Sequence, residues 1–551
     1  MLSRQRAPAI DESLQALCVE IAGRSGVAAV CECGESVYSP RPEGHDLLLI
    51  MENYPGGLRY HTRRVGATPV TILAADRSLV DLDAHKGAMG EFIVERLLTP
   101  YRPLLNEDVL RSVEISTKER ILREELLELV LEYGEMAREI SVEEEYLMLA
   151  RIRRRARVFL PDARACSLLL DSSVRDANLR KMAPGYRAAI AKLVEAGILR
   201  RDDAAYALGD SFVDRSLSGK STAKVINIMQ AGRRALQAYL AHGVAAYLTP
   251  DVLTRELVSS LELSLLSDVE SQHLEDPRKY LYLKTATGKV SLAERFSIQK
   301  FAREFRPNVV VTVSPLGNVL NEVYLITAGN ERLVAKKFTE WQGFKWFTLG
   351  LVSLGTRLFS VSGKARLENE YAVNRLLSKR GVLVPEILHV SVPDRVLVQR
   401  YIEGASLVEL VKEAVSAKSL SERSHVVATR LGSALAKIHD SGVAMGDTKP
   451  ENFQRSRDDE VYSLDLEQAG KSGDKAWDAA ELLYYSGHYV FPSTPSGGFK
   501  EYINAIIEGY LKHGDESVLK AAATVKYSRV FSLWAHPLAI REISKALRAA
   551  R

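Results

Sequence analysis

Cysteine is scarce in this chain. There are four in 551 residues, Cys18, Cys31, Cys33 and Cys166, too few and too clustered for a disulfide framework. No C-x-x-C pair offers a zinc site. Cys31 and Cys33 stand two apart on an expected strand, so they share a side and read as core thiols. A reducing, cytoplasmic setting is expected. Long apolar runs are also missing, because no segment reaches the roughly 18 uncharged apolar residues needed to span a membrane. The opening residues MLSRQRAPAI hold no apolar run, and no secretory signal is expected. Trp346–Val361 is apolar but short and interrupted by Arg357. It reads as a packed or surface-apolar insertion, with membrane-interface contact as the alternative. Neither sign of charge dominates: 74 Lys and Arg against 70 Asp and Glu permit a basic face for nucleic acid without requiring one.

What is present is enough apolar residue, 46%, and enough length for three or four cored domains. Residues 11–24 read as an amphipathic helix. Strands are expected at Val27–Cys33, Asp46–Met51, Leu58–Val65 and Pro69–Ala74, and helices at about 78–84 and 90–104. This order predicts a small α/β domain over 1–105. Residues 106–160 are charged and helical, with Ile121, Leu126, Leu127, Val130 and Leu131 at helical spacing. The basic run Arg151–Arg157 ends that region and reads as a solvated helix face, or else as a contact for RNA or DNA. In 161–215 a helix ending at Gly197 runs into a short hairpin, the shape of a winged helix. Arg187, Lys192, Arg200 and Arg201 could then face a nucleic-acid groove, the alternative being a packing connector. Residues 216–305 form a helical connector. The last domain, 306–551, opens with strands.

Within the first domain, Gly34 and Gly44-His45-Asp46-Leu47-Leu48 resemble the nucleotidyltransferase signature. There, two carboxylates flanking one apolar residue bind two metals. Asp46 stands at the first carboxylate, but Leu48 replaces the second and Glu35 follows Gly34 where Ser is usual. The resemblance implies a nucleotidyltransferase-like fold without its two-metal chemistry.

The C-terminal domain carries the stronger pattern. Met445-Gly446-Asp447-Thr448-Lys449-Pro450-Glu451-Asn452 resembles the kinase catalytic loop H-R-D-L-K-P-E-N, and Asp465 follows an apolar strand. Upstream, Val309–Val313 and Glu322–Thr327 flank a loop whose one glycine is Gly317, where a kinase covers the phosphates. Leu333-Val334-Ala335-Lys336-Lys337 resembles V-A-x-K. Alternation sets Ala335 and Lys337 on one face, so Lys337 is the expected phosphate lysine and Lys336 points away. On the helix after it, Glu370 is the expected partner and Glu368 the reserve. Tyr401-Ile402-Glu403-Gly404 looks like the hinge that reads an adenine edge.

Residues 309–551 are thus similar to the small atypical kinases, the RIO type and the kinase of the KEOPS complex, and to lipopolysaccharide and aminoglycoside kinases. Those families commonly read H-G-D, as Met445-Gly446-Asp447 nearly does. Asp478 comes only 13 residues after Asp465, which leaves no room for a long activation segment. The resemblance implies a two-lobed protein-kinase-like fold with ATP and Mg²⁺ as cofactors. It assigns Asp447 as catalytic base, Lys449 to the transferring phosphate, Asn452 and Asp465 to magnesium, and Lys337 with Glu370 as the phosphate clamp. Gly317, Tyr401 and Ile402 would also touch the nucleotide, and Asp478 would brace the loop. The expected function is an ATP/Mg-dependent phosphotransferase, an atypical Ser/Thr kinase or kinase-like ATPase, acting on a protein or small molecule not readable from sequence. The alternatives are a nucleotide-binding pseudokinase scaffold and a nucleic-acid-binding regulator.

Overall fold

The computed structural model describes residues 7–40, 42–218, 220–246, 275–307, 309–316, 321–340, 362–471, 473–491, 497–533 and 535–550. The chain is a mixed α/β protein of two compact units. The first comprises Met1–Glu132 and Ile140–Tyr282, the second Tyr133–Glu139 and Leu283–Arg551. Gly317 and the apolar stretch Trp346–Val361 lie outside the described residues. No helix among those described is long and apolar enough to cross a membrane.

The first unit is built on a five-stranded sheet. Helix α1 (Ala7–Ala22) precedes β1 (Gly26–Cys33), β2 (His45–Glu52), β3 (Leu58–Val65) and β4 (Thr68–Asp76). The fifth strand, β5 (Arg102–Leu105), corrects the helix expected over 90–104. Pro100 and Pro103 cannot sit inside a helix without breaking its hydrogen bonds. The spatial order is β3-β4-β2-β1-β5, with only β2 and β4 parallel. Alternation along the strands fills two cores. Val30, Leu47, Leu49 and Ile72 meet Leu14 and Cys18 of α1 on one face, and Cys31, Cys33, Leu48 and Leu73 join Phe92 and Phe159 on the other. All four cysteines are buried free thiols.

Helix α2 (Glu107–Tyr133) and helix α3 (Glu144–Val158) hold the basic run, and the solvated face expected there is corrected. Arg151 and Arg155 are buried. Arg151 pairs with Glu124 and with Glu125 at 3.2 Å, Arg154 with Glu125 at 2.8 Å, and Arg155 with Glu95 and with Asp162 at 2.8 Å. These guanidiniums neutralise carboxylates inside the unit rather than awaiting phosphates. Helix α4 (Arg175–Glu195) then leads into the hairpin β6 (Leu199–Asp202) and β7 (Ala205–Leu208). There, Arg187 pairs with Glu144 at 3.0 Å and Lys192 with Glu119 at 3.5 Å, while Arg200 and Arg201 are exposed. Helix α5 (Lys220–Ala246) follows.

The second unit takes in the chain from Leu283, upstream of the boundary expected at 306. The reason is local packing: Ala286 N–H donates to Ile387 O, and Phe301 of helix α6 (Ile298–Phe305) packs with Leu333 and Val398. Its main sheet is antiparallel. Strands β8 (Val311–Pro315), β9 (Glu322–Ala328) and β10 (Glu331–Lys337) run in sequence, and β12 (Val396–Arg400) pairs between β10 and β11 (Ile387–Ser391). Helix α7 (Gly363–Lys379) links β10 to β11. The rest is largely helical around one core: α8 (Leu407–Ser416), α9 (Glu422–Asp440), α10 (Lys475–Ser486), α11 (Gly497–Leu511) and α12 (Pro537–Ala549). A small sheet of Gly404–Ser406, Phe453–Ser456 and Val461–Ser463 carries the residues of interest between them.

Candidate active site

Strand β10 decides which lysine enters the site. Leu333 and Ala335 belong to the apolar cluster with Phe301, Ile326 and Val398, so the intervening residues face the other way. Lys336, not Lys337, is therefore the residue that meets Glu370, and the expectation from alternation is corrected. The sequence pattern cannot tell which face of the strand carries the apolar core, since Leu333, Val334 and Ala335 are all apolar. The Lys336 ammonium donates to Glu370 Oε1 at 3.1 Å and to Leu464 O at 3.0 Å, and lies 3.9 Å from Asp465 Oδ1. Burial alone would disfavour its charge, but Asp465 and Glu370 outweigh that and hold it protonated. Lys337 instead pairs with Glu322 at 3.0 Å, both half exposed.

Glu370 of α7 is fully buried and its oxygens are fully used. Gln399 Nε2 donates to Oε1 at 3.1 Å and Leu466 N–H to Oε2 at 2.7 Å. Burial pushes its carboxyl up, and Lys336 opposes that. Glu368, the reserve, lies 3.9 Å from Lys364. A second buried group stands beside it. Glu467 accepts from Asn321 Nδ2 at 2.7 Å and pairs with the buried guanidinium of Arg366 at 3.2 Å. Burial, reinforced by the Asp465 charge, pushes Glu467 up to about 7.

The loop Met445–Asn452 hangs from α10. Asp478, fully buried, accepts the N–H of Met445 at 2.5 Å and of Gly446 at 2.7 Å, and sits 3.1 Å from His439 Nε2. Gly446 turns with φ 79°, a left-handed conformation that glycine adopts without strain. Three residues on, Glu481 accepts the N–H of Thr448 at 2.8 Å. Burial and the neighbouring Asp447 charge raise Glu481 to about 8. Asp447 itself keeps an exposed edge, 27% of its side chain, with the Lys449 ammonium 2.9 Å from Oδ1. Asn452 Nδ2 donates to Asp447 O at 2.9 Å, and Asn452 O accepts the N–H of Leu464 at 2.9 Å. Those two bonds bring Asn452 beside the segment that runs from the strand Val461–Ser463 into Asp465.

Among the described residues no group of three His, Cys, Asp or Glu could hold a metal alone. Magnesium does not require one. It keeps several waters and binds through one or two carboxylates plus substrate phosphates. An Asn whose amide N–H is already engaged, together with a partly exposed Asp465, is a hard oxygen donor set that fits that ion.

At the expected hinge, Tyr401 N–H donates to Arg332 O at 3.0 Å and Ile402 O accepts from Gln454 Nε2 at 2.7 Å. Those two groups are committed within the protein, and Arg332 lies over the Tyr401 ring at 4.6 Å. Gly317 lies outside the described residues. Reasoning from sequence missed Lys336, Gln399, Glu481 and the Arg366–Glu467–Asn321 group. Only Lys336 had a signal, its place one residue from the chosen lysine.

Residues 312–485 match the model of the phosphotransferase enzyme family. The chain is also similar to the KEOPS complex subunit Bud32 of Pyrococcus abyssi (strain GE5 / Orsay), at 26% identity over 149 residues. That match spans 27% of this chain and 64% of the relative, so the chain covers somewhat under two thirds of its length. Among solved structures, a complex titled Rv3197-erythromycin from Mycobacterium tuberculosis aligns at 14% identity with a TM-score of 0.22, over 35% of this chain and 58% of that one. Residues 312–485, within the second unit, are thus the part of the chain that is similar to a phosphotransferase domain.

Proposed function

We propose that the second unit is an ATP- and magnesium-dependent phosphotransferase of the small atypical kinase type, with a two-lobed kinase-like fold. One observation carries this reading: the Lys336 ammonium is bonded to Glu370 and lies 3.9 Å from Asp465. A strand lysine, a helix acid and a metal-binding Asp in one constellation is what phosphate positioning needs. In this reading Lys336, held by Glu370, grips the nucleotide phosphates. Asp465 and Asn452 hold magnesium, which would neutralise phosphate charge. Asp447 orients the acceptor hydroxyl and takes its proton, and Lys449 stands ready for charge on the transferring group. The hinge role passes to the backbone around Tyr401 and Ile402 that those residues do not already commit.

The test is magnesium-dependent ATP turnover by the full chain. Asp447→Asn and Asp465→Asn should each lower it on the order of 10²- to 10⁴-fold. Turnover unchanged in both would overturn the reading, and nucleotide binding without turnover in the parent would reduce the domain to a scaffold.

A further inference from the structure

Helix α7 has two working sides. At about 100° of turn per residue, Arg366, Asn369 and Glu370 fall on one side, and Lys364, Arg375 and Lys379 on the opposite one. The first side grips the stretch that carries Asp465. Arg366 pairs with the Glu467 carboxylate at 3.2 Å, Asn369 Nδ2 donates to Glu467 O at 3.4 Å, and Glu370 accepts the Leu466 N–H at 2.7 Å. Glu370 thus ties both Lys336 and the Asp465 stretch to one helix. Where α7 sits decides whether they meet.

The opposite side is held by a piece of chain from far upstream. Gly134, at φ 57°, lets the backbone leave α2, and the 3₁₀ turn Gly134–Glu139 follows. Tyr133–Glu139 belongs to the second unit, although the chain on either side of it belongs to the first. Tyr133, Met136 and Ala137 are buried. The segment is fastened along the length of α7. Near the start of the helix, Lys364 Nζ lies 4.8 Å from the centroid of the Tyr133 ring. At its end, Glu139 pairs with Lys379 at 2.5 Å and lies 3.8 Å from Arg375. Glu135 pairs at 3.2 Å with Lys471, six residues beyond Asp465. The segment therefore bridges the helix that carries Glu370 and the stretch that follows Asp465. Its acids face the basic side of that helix, so the charges are complementary.

We propose that Tyr133–Glu139 is a built-in positioning segment for phosphoryl transfer: it seats α7, and with it Glu370 against Lys336, and so sets the affinity for nucleotide. This rests on the phosphotransferase reading above. Glu135 and Glu139 are positioning residues, acting through α7. An unseated α7 leaves Lys336 without its fixed partner. A site that is competent for only a fraction of the time binds its ligand more weakly by that fraction. Saturating nucleotide draws the helix back, so loosening the segment shows as a raised KM for ATP more than as a lowered kcat.

The experiment compares the full chain with Glu139→Lys, which sets a like charge against Arg375 and Lys379. The KM for ATP should rise about tenfold, and kcat should stay within a few-fold. Hydrogen exchange in the peptide 463–469, which contains the Leu466 N–H, should quicken, while that of α9 stays as in the parent. The milder Glu139→Gln should move both readouts the same way by less. Adding Lys379→Glu to Glu139→Lys should restore both. Glu386→Gln, which removes an exposed pair with Arg400 in the same unit, should change neither. An unchanged KM, or unchanged exchange at 463–469, in Glu139→Lys would overturn the proposal. So would quickened exchange in α9 as well, the mark of general destabilisation, or failure of Lys379→Glu to restore the KM. A parent chain that binds ATP without turnover would sink the phosphotransferase reading alone, the same variants then being compared by their Kd for ATP. A parent that binds no ATP would overturn both.

Discussion

Glu370 and Glu95 are both carboxyls taken out of water beside a cation, yet they end differently. Glu370 shares Lys336 with Asp465 and takes two further N–H donors, from Gln399 and Leu466. Glu95 has two guanidiniums, Arg96 at 3.1 Å and Arg155, and shares the second with Asp162. In the second unit the partly exposed acids, Asp447 and Asp465, are those with a proposed partner from outside. A buried carboxylate is costly unless it is paired and hydrogen-bonded. Where pairing is complete the group holds structure in place.

The largest expected effect is on stability. Arg366→Ala would leave Glu467 and Asn321 facing each other in a buried site without their cation. Removing one partner of such a pair costs roughly 3–5 kcal/mol, read in urea unfolding of the full chain. A loss below about 1 kcal/mol, the scale of an exposed pair, would mean that Arg366 and Glu467 do not act as a buried pair. Next comes the lysine. Lys336→Met should cut ATP turnover by about 10²- to 10³-fold, the scale of losing one preorganised electrostatic group. Lys337→Met should stay within a few-fold, because its partner is the exposed Glu322. The opposite ranking would break the constellation on which the comparison rests.

The smallest effect is in pH, and its sign differs between two residues four apart. Burial and Asp162 raise Glu95 to about 8 from an ordinary 4.5. Its contribution to stability is full below about 4.5 and is lost as pH rises toward 8, because the unfolded chain gives up the proton first. Glu91 is also buried, but Arg151, Arg120 and Arg155 outweigh burial and lower it to about 2. Its contribution is present above about 4.5 and lost as pH falls toward 2. The opening free energy from hydrogen exchange in β1–β5, after correction for the intrinsic exchange rate, should therefore fall from pH 5 to 8, and Glu95→Gln should flatten that fall. Glu91→Gln should instead weaken protection throughout that window.

The order Asp447, Asn452, Asp465, Asp478 was legible because the loop's chemistry is written in consecutive residues. The strands β1 to β4 were legible because each alternates between two cores. The lysine was not, since alternation fixes which residues share a face but not which face is covered. Helix α6, far back in the chain, covers it with Phe301. The basic run at Arg151–Arg157 misled for a related reason. Its partners Glu91, Glu95, Glu124 and Glu125 lie well upstream in sequence, and only folding brings them together. Gln399 and Glu481 carried no local mark at all. Each acts through a group that tertiary structure places beside it.

Asp478 has a consequence for timing. Its carboxylate holds the N–H groups of Met445 and Gly446, and Ala444 and Gly470 exchange backbone hydrogen bonds at 3.0 and 2.9 Å. The loop is thus tied at folding to a helix that is itself core. Many switches work by reordering a long segment between two such anchors, and here the interval from Asp465 to Asp478 is 13 residues with a backbone tie across it. A loop fastened in this way is always cocked. Under the proposed function, the pace of the domain would be set by what reaches the loop, not by the loop's own posture.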